Sequence, residues 1–355
     1  MVDELDLDAD GATLTAALTD IASVSGEEKP LADAIERALT RLPHLALDRF
    51  GNTLIARTSL GLPERVVLAG HIDTVPHAGN FPSSFNPERT RLTGCGTSDM
   101  KSGVAVQLRL ASGLRAPSRD VTYVFYECEE VDVARNGLYR LSRSDPSLLG
   151  GDFAVLLEPS GGAVEGGCQG TLRATVTATG ARAHTARSWM GRNAIHEAGA
   201  ILELLRSWVP RRPVVDGLEY HEGLNAVAIS GGVAGNVVPD SCVVTVNYRF
   251  APDRSATEAE EYIRSLFSGW EVSVLDVAGG ARPGLSAPAA AAFVAAVGGT
   301  PRAKLGWTDV ARFAELGIPA VNYGPGIPET AHTSGEYVEV AAIAECESRL
   351  RAWLR

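Results

Sequence analysis

Three near-continuous apolar runs, Val66-Val67-Leu68-Ala69, Val121–Tyr126 and Phe153–Leu157, constrain this chain more than any other feature. A strand that is apolar at almost every position, rather than at alternate ones, must be covered on both faces. That is the situation of central strands in a parallel sheet flanked by helices. Each run is followed within four residues by a side chain that can ligate a metal or move a proton. These are His71 after the first, Glu127, Glu129 and Glu130 after the second, and Glu158 after the third. The carboxyl ends of strands are where α/β sheets build their sites.

Helical periodicity separates the runs. It predicts helices near Ala12–Ile21, Pro30–Leu42, Met100–Leu114 and Ala134–Ser144, with shorter strands near Leu45–Arg49 and Thr53–Arg57. After Gly170 the pattern changes. Leu172–Thr179 alternates, Asn193–Trp208 is helical, Ala226–Ser230 and Cys242–Arg249 read as strands, Thr257–Phe267 as helix and Trp270–Val277 as strand. This β-α-β-β-α-β order is that of a ferredoxin-like unit. Gly279–Gly284 reads as a hinge, after which helices near Ala287–Val297, Val310–Leu316 and Val340–Leu354 and a strand near Pro319–Tyr323 complete the first pattern. The expectation is an α/β fold: a catalytic domain with a mixed, mostly parallel sheet flanked by helices, interrupted by an inserted ferredoxin-like α+β domain. The boundaries are 1–171 and 284–355 for the catalytic domain and 172–283 for the insertion.

Composition excludes several functions. A net charge of −11 disfavours nucleic acid, whose phosphates demand a basic face. No apolar stretch approaches the roughly 20 residues that span a bilayer. The acidic start MVDELDLDAD does not resemble a secretory signal, so a cytoplasmic protein is expected. The five cysteines (Cys95, Cys128, Cys168, Cys242 and Cys346) are scattered without a CxxC pair, which argues against a thiolate zinc knuckle and against a disulfide framework.

The chemistry-bearing segments are modest one by one. In Gly70-His71-Ile72-Asp73 the histidine can bind a metal and Asp73 can fix its tautomer, or the histidine merely ends a strand. Asp99, in Gly94-Cys95-Gly96-Thr97-Ser98-Asp99, is a ligand or a helix N-cap. Glu127, Glu129 and Glu130 would repel one another unless cations neutralise them. Glu158 again stands at a strand end, and His332, in Ala331-His332-Thr333-Ser334-Gly335-Glu336, follows Gly324-Pro325-Gly326 and would by itself be unremarkable. Taken together, two imidazoles and three carboxylates without thiolate suit a two-zinc hydrolytic site, in which one carboxylate bridges. A GxG at Gly94–Gly96 lacks the rest of a dinucleotide fingerprint, which makes an oxidoreductase a poor reading.

The ordered motifs GHIDTVP, GCGTSDMKSG, ECEE, LLEP and TAHTSGE span the chain, and it resembles the zinc aminoacylase/carboxypeptidase family, the M20 type. That resemblance implies two Zn2+ per subunit, with Co2+ as a substitute. Asp99 would bridge, His71 and Glu158 would complete one site, and Glu130 and His332 the other. Asp73 would orient His71, and Glu129 would act as general base. His184, in Gly180-Ala181-Arg182-Ala183-His184, would reach a neighbouring subunit's active site and stabilise the oxyanion. Asn236 and Arg249 match positions that bind substrate carboxylate, and Thr308 and Arg312 match the loop around the amino-acid end. A homodimer formed through the inserted lid is implied as well.

The stretches GCQGTLRATV, GGVAGNVVPD, NYRFAPDRS, GWTDVARF and GIPAVNYGPG carry a closer resemblance within that family, which implies hydrolysis of N-succinyl-LL-2,6-diaminopimelate into succinate and LL-2,6-diaminopimelate. The rival readings are another acyl amino acid such as N-acetylornithine, a dipeptide, or a non-catalytic metal-binding scaffold. Two departures stand out. Cys168-Gln169-Gly170-Thr171 replaces an arginine pair, and Cys128 replaces the acid that precedes the Glu pair.

Overall fold

In the computed structural model, which describes residues 4–355, the three apolar runs become the strands Arg65–His71, Asp120–Tyr126 and Phe153–Leu156. They form the middle of an eight-stranded sheet, Arg65–His71 lying parallel to both of the others. Ala320–Asn322 adds in parallel beside Phe153–Leu156, whereas Thr53–Arg57 and then Ala46–Phe50 add antiparallel at the other margin. Every residue of Asp120–Tyr126 is buried, as a mostly apolar strand covered on both faces requires. Register then positions the chemistry. His71 pairs with Tyr126 and Ala69 with Leu156, so His71, the Glu127–Glu130 turn and Glu158 leave the sheet at the same end.

The sheet is flanked by helices, among them Gly11–Thr19, Ser102–Gly113 and Val340–Leu354, which pack on one another. Their shared core includes Leu14, Leu18, Val104, Leu108, Ile343 and Leu350, all 0–1 % exposed. Burying a side chain of this size contributes about 1.5–3 kcal/mol. Gly103 lets helix Ser102–Gly113 meet the sheet end closely: a Cβ there would lie 2.4 Å from the Leu157 carbonyl oxygen.

Two helices begin two or more residues later than expected, and the strand expected from Ala226 begins at Gly223. The helix expected from Met100 begins at Ser102, because residues 97–101 form a wider turn with non-helical dihedrals at Asp99 and Met100. The helix expected from Ala134 begins at Gly137, where the Asn136 side chain accepts the Tyr139 N–H and fixes the start. A three-stranded sheet of Tyr337–Glu339, Arg91–Thr93 and Ser84–Phe85 was not foreseen, since strands of two or three residues carry no periodicity.

The chain divides into two compact units. One holds residues 4–166, 283–302 and 312–355, the other residues 167–282 and 303–311. Residues 303–311, read from the sequence as catalytic domain, cluster with the second unit. The Cys168 thiol contacts the Thr308 carbonyl and the Trp307 indole N–H donates to the Gly279 carbonyl. The second unit has a four-stranded antiparallel sheet in the order Gly223–Gly231, Ser241–Phe250, Gly170–Thr179, Glu271–Ala278. Helices Ala194–Ser207 and Ala256–Leu266 connect its strands, giving the β-α-β-β-α-β order. Leu172, Ala174, Val176 and Ala178 are buried while Thr171, Arg173, Thr175 and Thr177 are more open, so only one face of the sheet packs on the helices. No helix among the described residues is long and apolar enough to cross a membrane.

Candidate metal centre

His71 closes the strand Arg65–His71 and is 1 % exposed. Its Nδ1 lies 3.1 Å from the Asp73 carbonyl oxygen and 3.5 Å from the Asp73 carboxylate, which leaves Nε2 facing Asp99 Oδ1 at 3.2 Å. Asp99 Oδ2 lies 3.1 Å from His332 Nε2, and Glu130 Oε1 lies 2.7 Å from the same nitrogen. One carboxylate therefore stands between two imidazoles, with a second carboxylate on the His332 side. The N-cap alternative for Asp99 falls away, because the helix that follows starts three residues later and takes no cap from it. Glu158 is 5 % exposed and close enough to His71 to favour its charged form.

The electrostatics follow from this crowding. Hydrogen bonds to the Asp99 and Glu130 carboxylates push the His332 imidazole up to about 10. Burial alone would lower His71, but the Asp73 and Asp99 carboxylates outweigh it and hold the ring well above its usual range. Burial would likewise raise Asp99, and the two imidazoles overcome that to hold it far below the carboxylate range.

The donor set fits zinc. Two ligand atoms each about 2.0–2.1 Å from a tetrahedral ion lie roughly 3.3 Å apart. The two Asp99–imidazole separations, 3.2 and 3.1 Å, are of that size. His71, Asp99 and Glu130 each offer an atom to one such cluster. A second group, Glu28, Glu127 and Cys128, is also buried and close-knit. Within it Glu127 is paired with Arg140, and burial and the Glu28 carboxylate push the Cys128 thiol up to about 12. The carboxylate next to Cys128 thus comes from Glu28 on a different segment, which accepts the Cys128 N–H and thiol, both at 3.2 Å.

The turn that carries Glu129 and Glu130 is held from behind. The Asp73 carboxylate, 0 % exposed, accepts the Glu129 N–H at 3.0 Å, the Glu130 N–H at 3.2 Å and the Ser25 hydroxyl at 2.7 Å. Asp73 therefore grips the Glu129–Glu130 turn as well as bordering His71. Cys128 and His332 both adopt left-handed backbone, at φ 58° and 61°. Non-glycine residues in that region are uncommon and concentrate where side chains are aimed for a purpose.

His184, Asn236, Arg249 and Thr308 fall in the second unit, and the carboxylate–imidazole cluster does not include them. His184 and Asn236 are neighbours there. His184 bridges to Val237, the Thr185 N–H donates to the Asn236 carbonyl at 3.0 Å, and His184 Nδ1 accepts the Ala186 N–H at 3.0 Å. Arg249 lies on a central strand opposite Thr171 and donates to Asn247 Oδ1 at 3.2 Å. Burial presses its guanidinium pKa downward. Thr308 is 4 % exposed. Arg312, in the first unit, is paired with Glu315 at 3.1 Å and lies over the Tyr139 ring. Sequence reasoning missed Glu28 and Ser25, whose only signal was the run Ser25-Gly26-Glu27-Glu28 before a helix.

A Mycobacterium tuberculosis protein named as a succinyl-diaminopimelate desuccinylase is 53 % identical over 353 residues, covering 99 % of each chain. The succinyl-diaminopimelate desuccinylase of Corynebacterium glutamicum is 46 % identical over 361 residues, covering 99 % of this chain and 97 % of the relative. Among solved structures, a tripeptidase from Staphylococcus aureus superposes with a TM-score of 0.79 at 19 % identity, covering 99 % of this chain and 98 % of that one. An M20 family metallo-carboxypeptidase from Sulfolobus solfataricus gives 0.74 at 15 % identity, with 97 % and 99 % covered. Those two likenesses concern the fold. The model of peptidase family M20/M25/M40 matches residues 67–355, and the chain belongs to that family of metal-dependent hydrolases.

Proposed function

We propose that this chain is a succinyl-diaminopimelate desuccinylase, hydrolysing N-succinyl-LL-2,6-diaminopimelate to succinate and LL-2,6-diaminopimelate with two bound zinc ions. The observation that carries the hydrolytic reading is Asp99 standing between His71 and His332 with Glu130 alongside. The substrate assignment draws on the two near-full-length relatives that bear this name. Asp99 would be shared between the ions, His71 and Glu158 completing one set and Glu130 and His332 the other. Lewis acidity toward the scissile carbonyl and toward water is what such ions supply when bound.

The chain's own residues do the rest. Glu129 takes a proton from the attacking water and returns it to the leaving amine. Asp73 holds Glu129 by its backbone N–H, so the base is fixed relative to Glu130, its neighbour on the turn. Arg249 and Asn236 receive substrate carboxylate, a task for which the guanidinium fork is suited, and Thr308 and Arg312 border the amino-acid end.

His184 would act in a second copy of the chain, within a homodimer formed by the second unit. The edge strand Gly223–Gly231 supports this. From Asn225 onward it is exposed and uncharged, with Val227 57 % and Ile229 51 % exposed. The opposite edge, Glu271–Ala278, carries Glu271 and Asp276, charges of the kind that guard a sheet edge against pairing. Five cysteines, all buried and none in a disulfide, suit a reducing compartment, and we propose a cytosolic location.

The test is succinate release by purified enzyme, with chelator and then with zinc restored. Activity should vanish and return. Glu129→Gln should lose about 10²–10⁴-fold in kcat while retaining its metal, and near-normal turnover would refute the assignment. Comparing kcat/KM for the succinyl substrate with that for N-acetylornithine and a dipeptide decides the acyl group.

A further inference from the structure

We propose that Glu336 is a positioning residue that sets where Asp99 stands between the two imidazoles; this rests on the two-ion reading of the site. Glu336 is 1 % exposed. Its Oε1 accepts the backbone N–H groups of both Ser98 and Asp99 at 2.9 Å, and the Gly96 N–H is a further donor to the carboxylate. Its own carbonyl accepts the Gly94 N–H at 3.0 Å. Residues 94–99 are thereby fastened to a segment 237 residues away in sequence.

A second clasp lies beside the first. The Ser98 hydroxyl donates to the Ile327 carbonyl at 3.1 Å and accepts the Ile327 N–H at 2.5 Å. The non-helical turn at 97–101 cannot satisfy these N–H groups within itself, and buried donors left without acceptors are costly. A buried carboxylate is costly too unless it is compensated. Here the Ser98 and Asp99 N–H groups offset part of that cost, although burial still raises the carboxyl.

Glu336 lies four residues after His332 on the same turn, whose Glu336 N–H donates to the Thr333 carbonyl at 3.2 Å. One side chain therefore joins the segment that carries His332 to the segment that carries Asp99. It acts through the Asp99 backbone, and its effect is to hold both Asp99 oxygens toward their imidazoles at once.

The experiment compares wild type, Glu336→Ala and Glu336→Gln as full chains, stripped of metal and titrated with Zn2+ and with Co2+. Bound ions per chain, the visible absorption of the cobalt form and the melting of the metal-free chain are read. Wild type should take two ions. Glu336→Ala should bind the second about 10–100-fold more weakly, with an altered cobalt spectrum. Glu336→Gln keeps an acceptor oxygen and should recover most of that affinity. Two ions bound by Glu336→Ala with wild-type affinity and spectrum would overturn the role of Glu336 alone, as would complete failure of Glu336→Gln to rescue. A wild-type chain that takes a single ion would overturn the two-ion reading and this proposal with it. If Glu336→Ala does not fold, Glu336→Asp, which withdraws the carboxylate by one methylene, serves in the same comparison.

Discussion

Replacing Asp73 by Asn isolates the support behind the Glu129–Glu130 turn without changing its volume. The carboxylate receives the Glu129 N–H on Oδ1 and the Glu130 N–H and Ser25 hydroxyl on Oδ2. An amide has one oxygen. If that oxygen takes the Oδ1 position, the NH2 group confronts the Glu130 N–H, and Ser25 can turn to accept instead. If it takes the Oδ2 position, the NH2 group confronts the Glu129 N–H and the His71 ring. In either case one backbone donor is left unsatisfied at a site that is 0 % exposed. Such an orphaned donor costs about 1–3 kcal/mol. The turn can relieve it only by moving away, which displaces Glu129 and Glu130.

Expressed in the transition state, that range corresponds to roughly 5–150-fold, and groups that support metal ligands cost about 10–100-fold when changed. We expect Asp73→Asn to lose about 10–100-fold in kcat/KM for succinate release at saturating zinc. Zinc should also bind more weakly, with the circular dichroism of the native fold retained. Values within twofold of wild type for both rate and zinc affinity would refute the reasoning, because the turn would then not depend on Asp73.

Two further outcomes are expected. Asp120 would be raised by burial, but hydrogen bonds from Thr58, Leu60 and Leu62 and the nearby Arg65 outweigh this and hold its carboxyl below the usual range. A depressed pKa gives stability that is present above the unfolded value, about 4, and lost as pH falls through the folded one. Asp120→Asn should therefore melt several degrees lower at pH 7, for a cost of about 1–3 kcal/mol, with the gap closing on acidification below about pH 4. A gap that stays constant down to pH 2 would contradict the assignment. For the edge strand, Val227→Lys combined with Ile229→Lys should shift sedimentation from dimer to monomer and remove activity that depends on His184 of a second copy. A double variant that stays dimeric would exclude this edge as the interface.

Much of the fold was legible because burial on both faces leaves a mark at every position. The runs that became Arg65–His71, Asp120–Tyr126 and Phe153–Leu156 had to be central strands, and their ends had to share one side of the sheet once they were parallel. His71, Glu130 and Glu158 were therefore readable as one neighbourhood, with Asp99 and His332 joined to them by motif. The alternation of Leu172–Thr179 was readable for the same reason, one face being packed and one open.

What the chain order could not decide was which distant backbone each carboxylate would hold. Glu336 grips residues 96–99, Glu28 faces Cys128, Asp73 takes the N–H groups of Glu129 and Glu130 more closely than it takes His71, and residues 303–311 join the second unit. None of these leaves a periodic trace, because each joins segments far apart in sequence through isolated contacts rather than through a repeating face. Residue types at strand ends and in the ordered motifs determine the candidate ligands. Only tertiary structure, by supplying acceptors for turns that cannot satisfy their own N–H groups, decides how those ligands are aimed.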